Sequence, residues 1–182
     1  GRQCIDDRDI DAVVAALKSG WLTTGPAVDC FERAFAEFCG TSQAVAVCNG
    51  TAALHCAVHA AGVGPGDEVI VPPMTFAATA NAVLYCGAKP VFADVDEQTL
   101  LLDPSQVERK LSPKTKAIIA VDYTGQPCDY DALRAVADEH GLVLIADACH
   151  AVGGTYKARP VGSVADLSTF SFHPVKNMTT GE

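Results

Sequence analysis

Three stretches far apart in the chain carry residue types that could act together on one small molecule. The segment STFSFHPVKNMTTGE, Ser168 to Glu182, places Lys176 after an alternating, strand-like run and before a loop of small and polar residues. An amine so placed can condense with an aldehyde if it is reachable and desolvated enough to lose its proton. In LVLIADACH, Asp147 ends an apolar run. A carboxylate there costs desolvation unless it is paired, and a protonated ring nitrogen is one partner. At about 3 Å and an effective dielectric near 20, the gross attraction is roughly 5 kcal/mol. That equals about four pKa units, and half of it still keeps a pyridine protonated near neutrality. A protonated ring is an electron sink. In AVAVCNGTAA a strand, a glycine-containing turn and a helix follow one another, an arrangement whose free N–H groups and helix dipole suit a phosphate. Thr51 adds a hydroxyl, and Ala52 lets the backbone come close. An aldehyde, a ring nitrogen and a phosphate ester together describe pyridoxal 5′-phosphate. Each part has a plainer reading alone: a solvated loop lysine, an aspartate tied to backbone donors, and Thr51 as a helix N-cap.

The elements that must position these residues follow from periodicity. Ile10, Val13, Val14 and Leu17 form the apolar stripe of a helix over 6–19, with Asp6, Asp7 and Asp9 favouring its N-terminal end and Gly20 stopping it. Burial of that stripe would contribute about 1.5–3 kcal/mol per side chain, so it is expected to pack on something. A loop over 21–26 leads to a helix over 27–39. Strands are expected at 44–48, 68–71, 90–93, 116–121, 142–146 and 168–172, and helices at 51–61, 75–86, 104–111 and 129–140. The alternation means an α/β fold with a mostly parallel sheet covered on both faces. Ligands in such sheets sit at the carboxyl ends of strands. Asn49-Gly50-Thr51, Pro72 to Phe76, Asp122-Tyr123 and Asp147 to His150 all fall at that edge.

Composition removes other classes. The chain has 182 residues, 49% apolar and 19% charged, with a net charge of −9. It is long enough for one core, and nothing in it can track a nucleic-acid backbone, so no nucleic-acid partner is expected. No stretch is long and apolar enough for a membrane span. GRQCIDDRDID lacks the basic region and apolar run of a signal peptide, and none is expected in it. The eight cysteines form no CxxC and read as small buried hydrophobes in a reducing cytosol. His55 and His59 are spaced for chelation on a helix, but HCAVH lacks the glutamate of HExxH, and no metal is expected. Gly62-Val63-Gly64-Pro65-Gly66 precedes a strand instead of opening a helix, which excludes a dinucleotide loop.

Taken together, WLTTGPAVDCFERAFAEFCG, CNGTAALHCAV, PPMTFAATANAVLYCGAKPVFADVD, VDYTGQPCDYDAL, IADACHAVGGTY and TFSFHPVKNMTTGE resemble the DegT-type sugar-nucleotide aminotransferases, within the fold type I pyridoxal-phosphate enzymes. The resemblance runs over essentially the whole chain. It implies a large domain with a sheet of the seven-stranded type, residues 1–25 forming an N-terminal helix and substrate-site loop, and residues 26–182 forming an incomplete cofactor domain. It implies Lys176 as the Schiff-base lysine and proton carrier, Asp147 behind the ring nitrogen and Phe76 stacked on the ring. Thr51, Ala52 and Ser171 would hold the phosphate, with His150 close to the ring oxygen. The loop Gly20, Trp21, Leu22, Thr23 and Thr24 would line the sugar-nucleotide site. Relatives with dehydratase activity carry His in place of the lysine, and Lys176 favours amino transfer. SFHPVKNMTTGE and VDYTGQP look most like the transaminase of pseudaminic acid synthesis, which aminates C4 of a UDP-linked 4-keto-6-deoxy-N-acetylhexosamine using glutamate. The family also implies a cytoplasmic homodimer with shared active sites and a smaller C-terminal domain, which this sequence does not contain. Two other readings are a lyase or dehydratase on the same fold and an inactive truncated domain serving as an assembly module.

Overall fold

The computed structural model describes residues 3–181; Gly1, Arg2 and Glu182, which fall within the segments 1–25 and 168–182 read above, lie outside the described residues. In chain order the elements are α1 (Asp7–Lys18), α2 (Pro26–Cys39), α3 (Gly50–Ala60), β1 (Glu68–Val71), α4 (Ala78–Tyr85), β2 (Lys89–Phe92), α5 (Pro104–Lys110), β3 (Thr115–Val121), α6 (Tyr130–His140), β4 (Val143–Asp147), β5 (Thr155–Tyr156), β6 (Arg159–Pro160) and β7 (Leu167–Thr169). Five strands form one sheet in the order β2-β1-β3-β4-β7, every pair parallel. The expected α/β class holds, with five strands among the described residues where the resemblance implies seven. β5 and β6 make a separate antiparallel hairpin that periodicity did not reveal.

The central strands are continuous apolar runs because both of their faces are covered. On one face Ile70, Ile118 and Leu144 pack with Val107, Leu133 and Val136 of α5 and α6. On the other, Val69, Val71, Ile119 and Ile145 pack with Leu54 and Val58 of α3 and Ala82 and Val83 of α4. Residues alternate between these cores along each strand, as the pleat requires.

Four expectations change. Residues 44–48, expected as a buried strand, pair with no strand among the described residues, and Val45 and Val47 are 78% and 40% exposed. The alternation is that of a strand, yet a strand needs a ladder partner; the Ala46 N–H goes instead to the Glu32 carboxylate at 2.8 Å. α1 forms where expected, closed by a reciprocal capping box between Asp6 and Asp9. Its apolar stripe is not buried within this chain: Ile10, Val13, Val14 and Leu17 are all exposed. The cysteines are all free thiols, but only Cys39 and Cys128 are buried, whereas Cys4, Cys30, Cys48 and Cys56 are exposed. Small apolar neighbours in sequence do not decide which side of a helix a thiol occupies. Finally, β7 ends at Thr169, so Ser171 lies beyond the strand, while β4 extends to include Asp147.

Candidate active site

Because the sheet strands run parallel, the residues that follow β1, β3, β4 and β7 emerge at one edge. Asp147 is the last residue of β4, level with Val121 of β3 and Thr169 of β7. It is 5% exposed. Its Oδ2 accepts the Thr79 hydroxyl at 2.8 Å and its Oδ1 accepts the Cys149 N–H at 3.4 Å. Thr79 is fully buried on α4. A hydroxyl has one proton, so Thr79 accepts from Thr75 in their 2.8 Å pair. Both donors to Asp147 are neutral, and no ion pair among the described residues includes it. A buried carboxylate with neutral donors and no paired cation is half of an ion pair. A protonated ring nitrogen fits as the other half.

The start of α3 lies beside this carboxylate. Asn49 is the N-cap, its side chain accepting the Ala52 N–H at 2.9 Å, so Asn49 caps the helix in place of Thr51. The N–H groups of Gly50 and Thr51 have no acceptor within the helix, as helix geometry dictates. A Cβ on Gly50 would come within 3.1 Å of the Ser171 Cβ and 3.3 Å of the Cys149 Sγ. Glycine at 50 thus lets the helix start approach Ser171 and the turn after Asp147 closely. Two amide donors, the Thr51 hydroxyl and the Ser171 hydroxyl form a cradle of the kind an ester phosphate occupies.

Lys176 is carried on a closed loop. Phe35 of α2 meets Phe170 edge-on at 5.1 Å and Phe172 at 5.4 Å, which fixes the chain after β7. The Phe172 carbonyl accepts the Thr180 N–H at 3.1 Å and the Thr179 hydroxyl at 2.9 Å, closing residues 172–180 into one turn. Within it the Lys176 N–H reaches the His173 carbonyl at 2.9 Å. Asn177 donates to the Val152 carbonyl at 2.8 Å, tying the loop to the segment after β4. The Lys176 charge acts on both Cys149 and His150. Burial and then the Asp147 charge push the Cys149 thiol well up, so it is a neutral thiol here. Burial, then Lys176, pull His150 below the usual histidine value, which favours neutral imidazole.

Lys176, Asp147, His150, Ser171 and the α3 start carrying Thr51 and Ala52 are therefore brought together. Phe76 stands at the same edge, in the turn that precedes α4, and the residue is 74% exposed. The loop from Gly20 to Thr24 has its hydrogen bonds to Ser19, with Trp21 and Leu22 exposed. Thr79 and Asn177 escaped sequence reasoning, and Thr75 entered it only as part of the cluster Pro72 to Phe76. The available signal for Thr79 was a lone hydroxyl in the otherwise apolar face Ala78, Ala82 and Val83.

Comparison with known proteins places the chain among sugar aminotransferases in sequence and fold. Spore coat polysaccharide biosynthesis protein SpsC of Bacillus subtilis (strain 168) is 52% identical over 178 residues, which is 98% of this chain and 46% of that protein. The putative sugar aminotransferase Spr1654 from Streptococcus pneumoniae, solved in PMP and PLP forms, superimposes on all of this chain with a TM-score of 0.97 at 39% identity, over 50% of its own length. Helicobacter pylori PseC, an aminotransferase involved in the biosynthesis of pseudoaminic acid, has a TM-score of 0.93 at 34% identity, covering 100% of this chain and 49% of its own. The chain spans about half the length of the relatives it matches. The model of the DegT/DnrJ/EryC1/StrS aminotransferase family matches residues 3–182, and the chain belongs to that family.

Proposed function

We propose that this chain is the cofactor-holding half of a pyridoxal-phosphate-dependent aminotransferase that moves an amino group from an amino acid, glutamate in our reading, to a 4-keto-6-deoxy nucleotide sugar for cell-surface polysaccharide or glycan synthesis. The observation that carries this reading is Asp147: a buried carboxylate with two neutral donors and no paired cation, one turn from His150 and beside the loop of Lys176. When bound, the cofactor supplies an aldehyde to receive nitrogen and a ring to hold the electron pair released at carbon.

The protein groups do the rest. Asp147 keeps the ring nitrogen protonated. Lys176 would supply the amine that holds the aldehyde and would carry the proton between the donor's carbon and the cofactor's C4′. Thr51, Ser171 and the first amides of α3 bind the phosphate, Ala52 leaving room for it, and His150 sits against the ring oxygen. Phe76, whose exposed ring has a free face, stacks on the cofactor. Gly20 to Thr24 contribute to the sugar-nucleotide side.

The likeness to Helicobacter pylori PseC supports a UDP-linked 4-keto-6-deoxy-N-acetylhexosamine as acceptor. The unburied apolar stripe of α1 supports a homodimer in which subunits complete each other's sites. No helix among the described residues is long and apolar enough to cross a membrane, and eight free thiols fit a reducing cytoplasm.

Borohydride reduction followed by peptide mass spectrometry tests the reading. The expected result is a cofactor adduct on Lys176 that disappears when glutamate is added before reduction. Reduction that leaves Lys176 unmodified would refute it. An adduct that persists in glutamate would instead point to lyase chemistry.

A further inference from the structure

Asp122, the first residue past β3, is fully buried and is not one of the groups assigned above. Its Oδ1 accepts the Cys128 N–H at 3.0 Å and the Tyr130 hydroxyl at 2.8 Å. Its Oδ2 is buried with no partner among the described residues. Its own N–H donates to the Asp147 carbonyl at 3.1 Å, so it is fastened directly to the strand that ends in the site's carboxylate. These bonds close residues 122–130 into a loop whose tip is the turn Tyr123–Gly125. Thr124 there has φ +56°, a left-handed conformation that strains a residue with a branched Cβ. That conformation aims the Thr124 N–H at His150 Nδ1, at 3.3 Å. Gly125, at φ +90°, lies directly under the His150 carbonyl, where any Cβ would come within 3.0 Å of the oxygen.

We infer that Asp122 is a positioning residue for His150: by gathering Cys128 and Tyr130 onto one carboxylate oxygen it holds Thr124 in its strained conformation, and the Thr124 N–H fixes His150 as the tautomer protonated at Nε2. A nitrogen that accepts a hydrogen bond cannot carry the proton, so neutral His150 must present Nε2–H as a donor. Protonation at Nδ1 would force two N–H groups together, which opposes the imidazolium form as well. Burial and then the Lys176 charge also oppose that form, while the Asp147 charge favours it. The strain at Thr124 thus converts a residue with two interchangeable nitrogens into a donor of fixed direction. The usefulness of that donor toward a ring oxygen rests on the cofactor reading above; the tautomer itself does not.

The test is nitrogen NMR of the cofactor-free full chain with labelled histidine. The expected His150 signals are an unprotonated Nδ1 and a protonated Nε2. Asp122→Asn keeps the accepting oxygen and should keep that pattern, whereas Asp122→Ala should give a mixture of tautomers. A wild-type His150 protonated at Nδ1 would overturn the inference, as would a folded Asp122→Ala protein with the wild-type pattern. If Asp122→Ala does not fold, Tyr130→Phe removes one of the two bonds to the same oxygen. Exchange of the Thr124 amide about 3- to 10-fold faster supports the inference, and unchanged exchange overturns it. Since cofactor is absent throughout, failure here would leave the Lys176 adduct result standing, and failure of that adduct would leave the tautomer result standing.

Discussion

Thr79 on α4 donates its hydroxyl proton to Asp147 Oδ2 at 2.8 Å, across 68 positions of sequence. In the sheet, α4 follows β1 while Asp147 ends β4, so the bond spans the end of the intervening strand β3. It locks one carboxylate oxygen in place and leaves the group's charge unneutralised.

Thr79→Val should therefore remove a buried donor while preserving shape. The expected cost is about 1–3 kcal/mol of stability, because a charged acceptor is left unsatisfied. Thr79→Ser should retain most of that stability. Urea unfolding of the three proteins, with cofactor titration alongside, checks this; the Val variant should also bind cofactor about tenfold more weakly, as Asp147 loses its orientation.

Asp147→Asn should separate stability from function. Asparagine keeps one oxygen to accept the Cys149 N–H, its NH2 can donate to the Thr79 hydroxyl, which then donates to Thr75, and it removes a buried charge that has no partner cation. The cofactor-free protein should be as stable as wild type or more so. Cofactor affinity should fall by about two orders of magnitude or more, since the ring nitrogen loses a partner worth several pKa units. Chemical denaturation without cofactor and equilibrium dialysis with it give the two numbers independently.

Gly50→Ala places a methyl group 3.1 Å from the Ser171 Cβ and 3.3 Å from the Cys149 Sγ. Ser171 Cβ is held by its own backbone, so either that segment or the start of α3 must give by a few tenths of an ångström. The cost should be about 1–3 kcal/mol, the usual range for overpacking. Inorganic phosphate should compete less well for the site in this variant, which a displacement titration would reveal.

The Asp122 carboxyl is pushed up to about 7, by burial first and with the charge of Asp147 adding to it, against hydrogen bonds from Cys128 and Tyr130 that lower it. Between its ordinary value of 3.8 and about 7, the native chain keeps a proton that the unfolded chain has released. This group's contribution to stability is thus complete in acid and falls as pH rises through that window, by about 4 kcal/mol at most. Asp122→Asn should flatten the slope and leave the variant more stable than wild type near pH 8. Unfolding midpoints measured between about pH 5 and pH 8 decide the matter.

Much of the scaffold was legible because burial writes itself into periodicity. AIIAV and VLIA are apolar without interruption, and they lie in β3 and β4 with both faces covered. Asp147 and Lys176 stood out because a charge at the end of such a run demands a reason. Thr79 did not, since one hydroxyl among alanines carries no period and its partner is remote in sequence. Asp122 was noticed only as part of a strand-end cluster, and its bond to Tyr130 depends on how the loop folds back. The segment 44–48 misled for the opposite reason: its alternation is local, whereas pairing is a property of the neighbour.

That same segment has a practical consequence for anyone handling the polypeptide. An apolar segment without a ladder partner, with Val45 and Val47 exposed, is a template to which another extended chain can add. Expressed by itself at high concentration, the polypeptide should gather into thioflavin-positive particles, and a charge introduced at Val45 should keep it dispersed without altering the sheet.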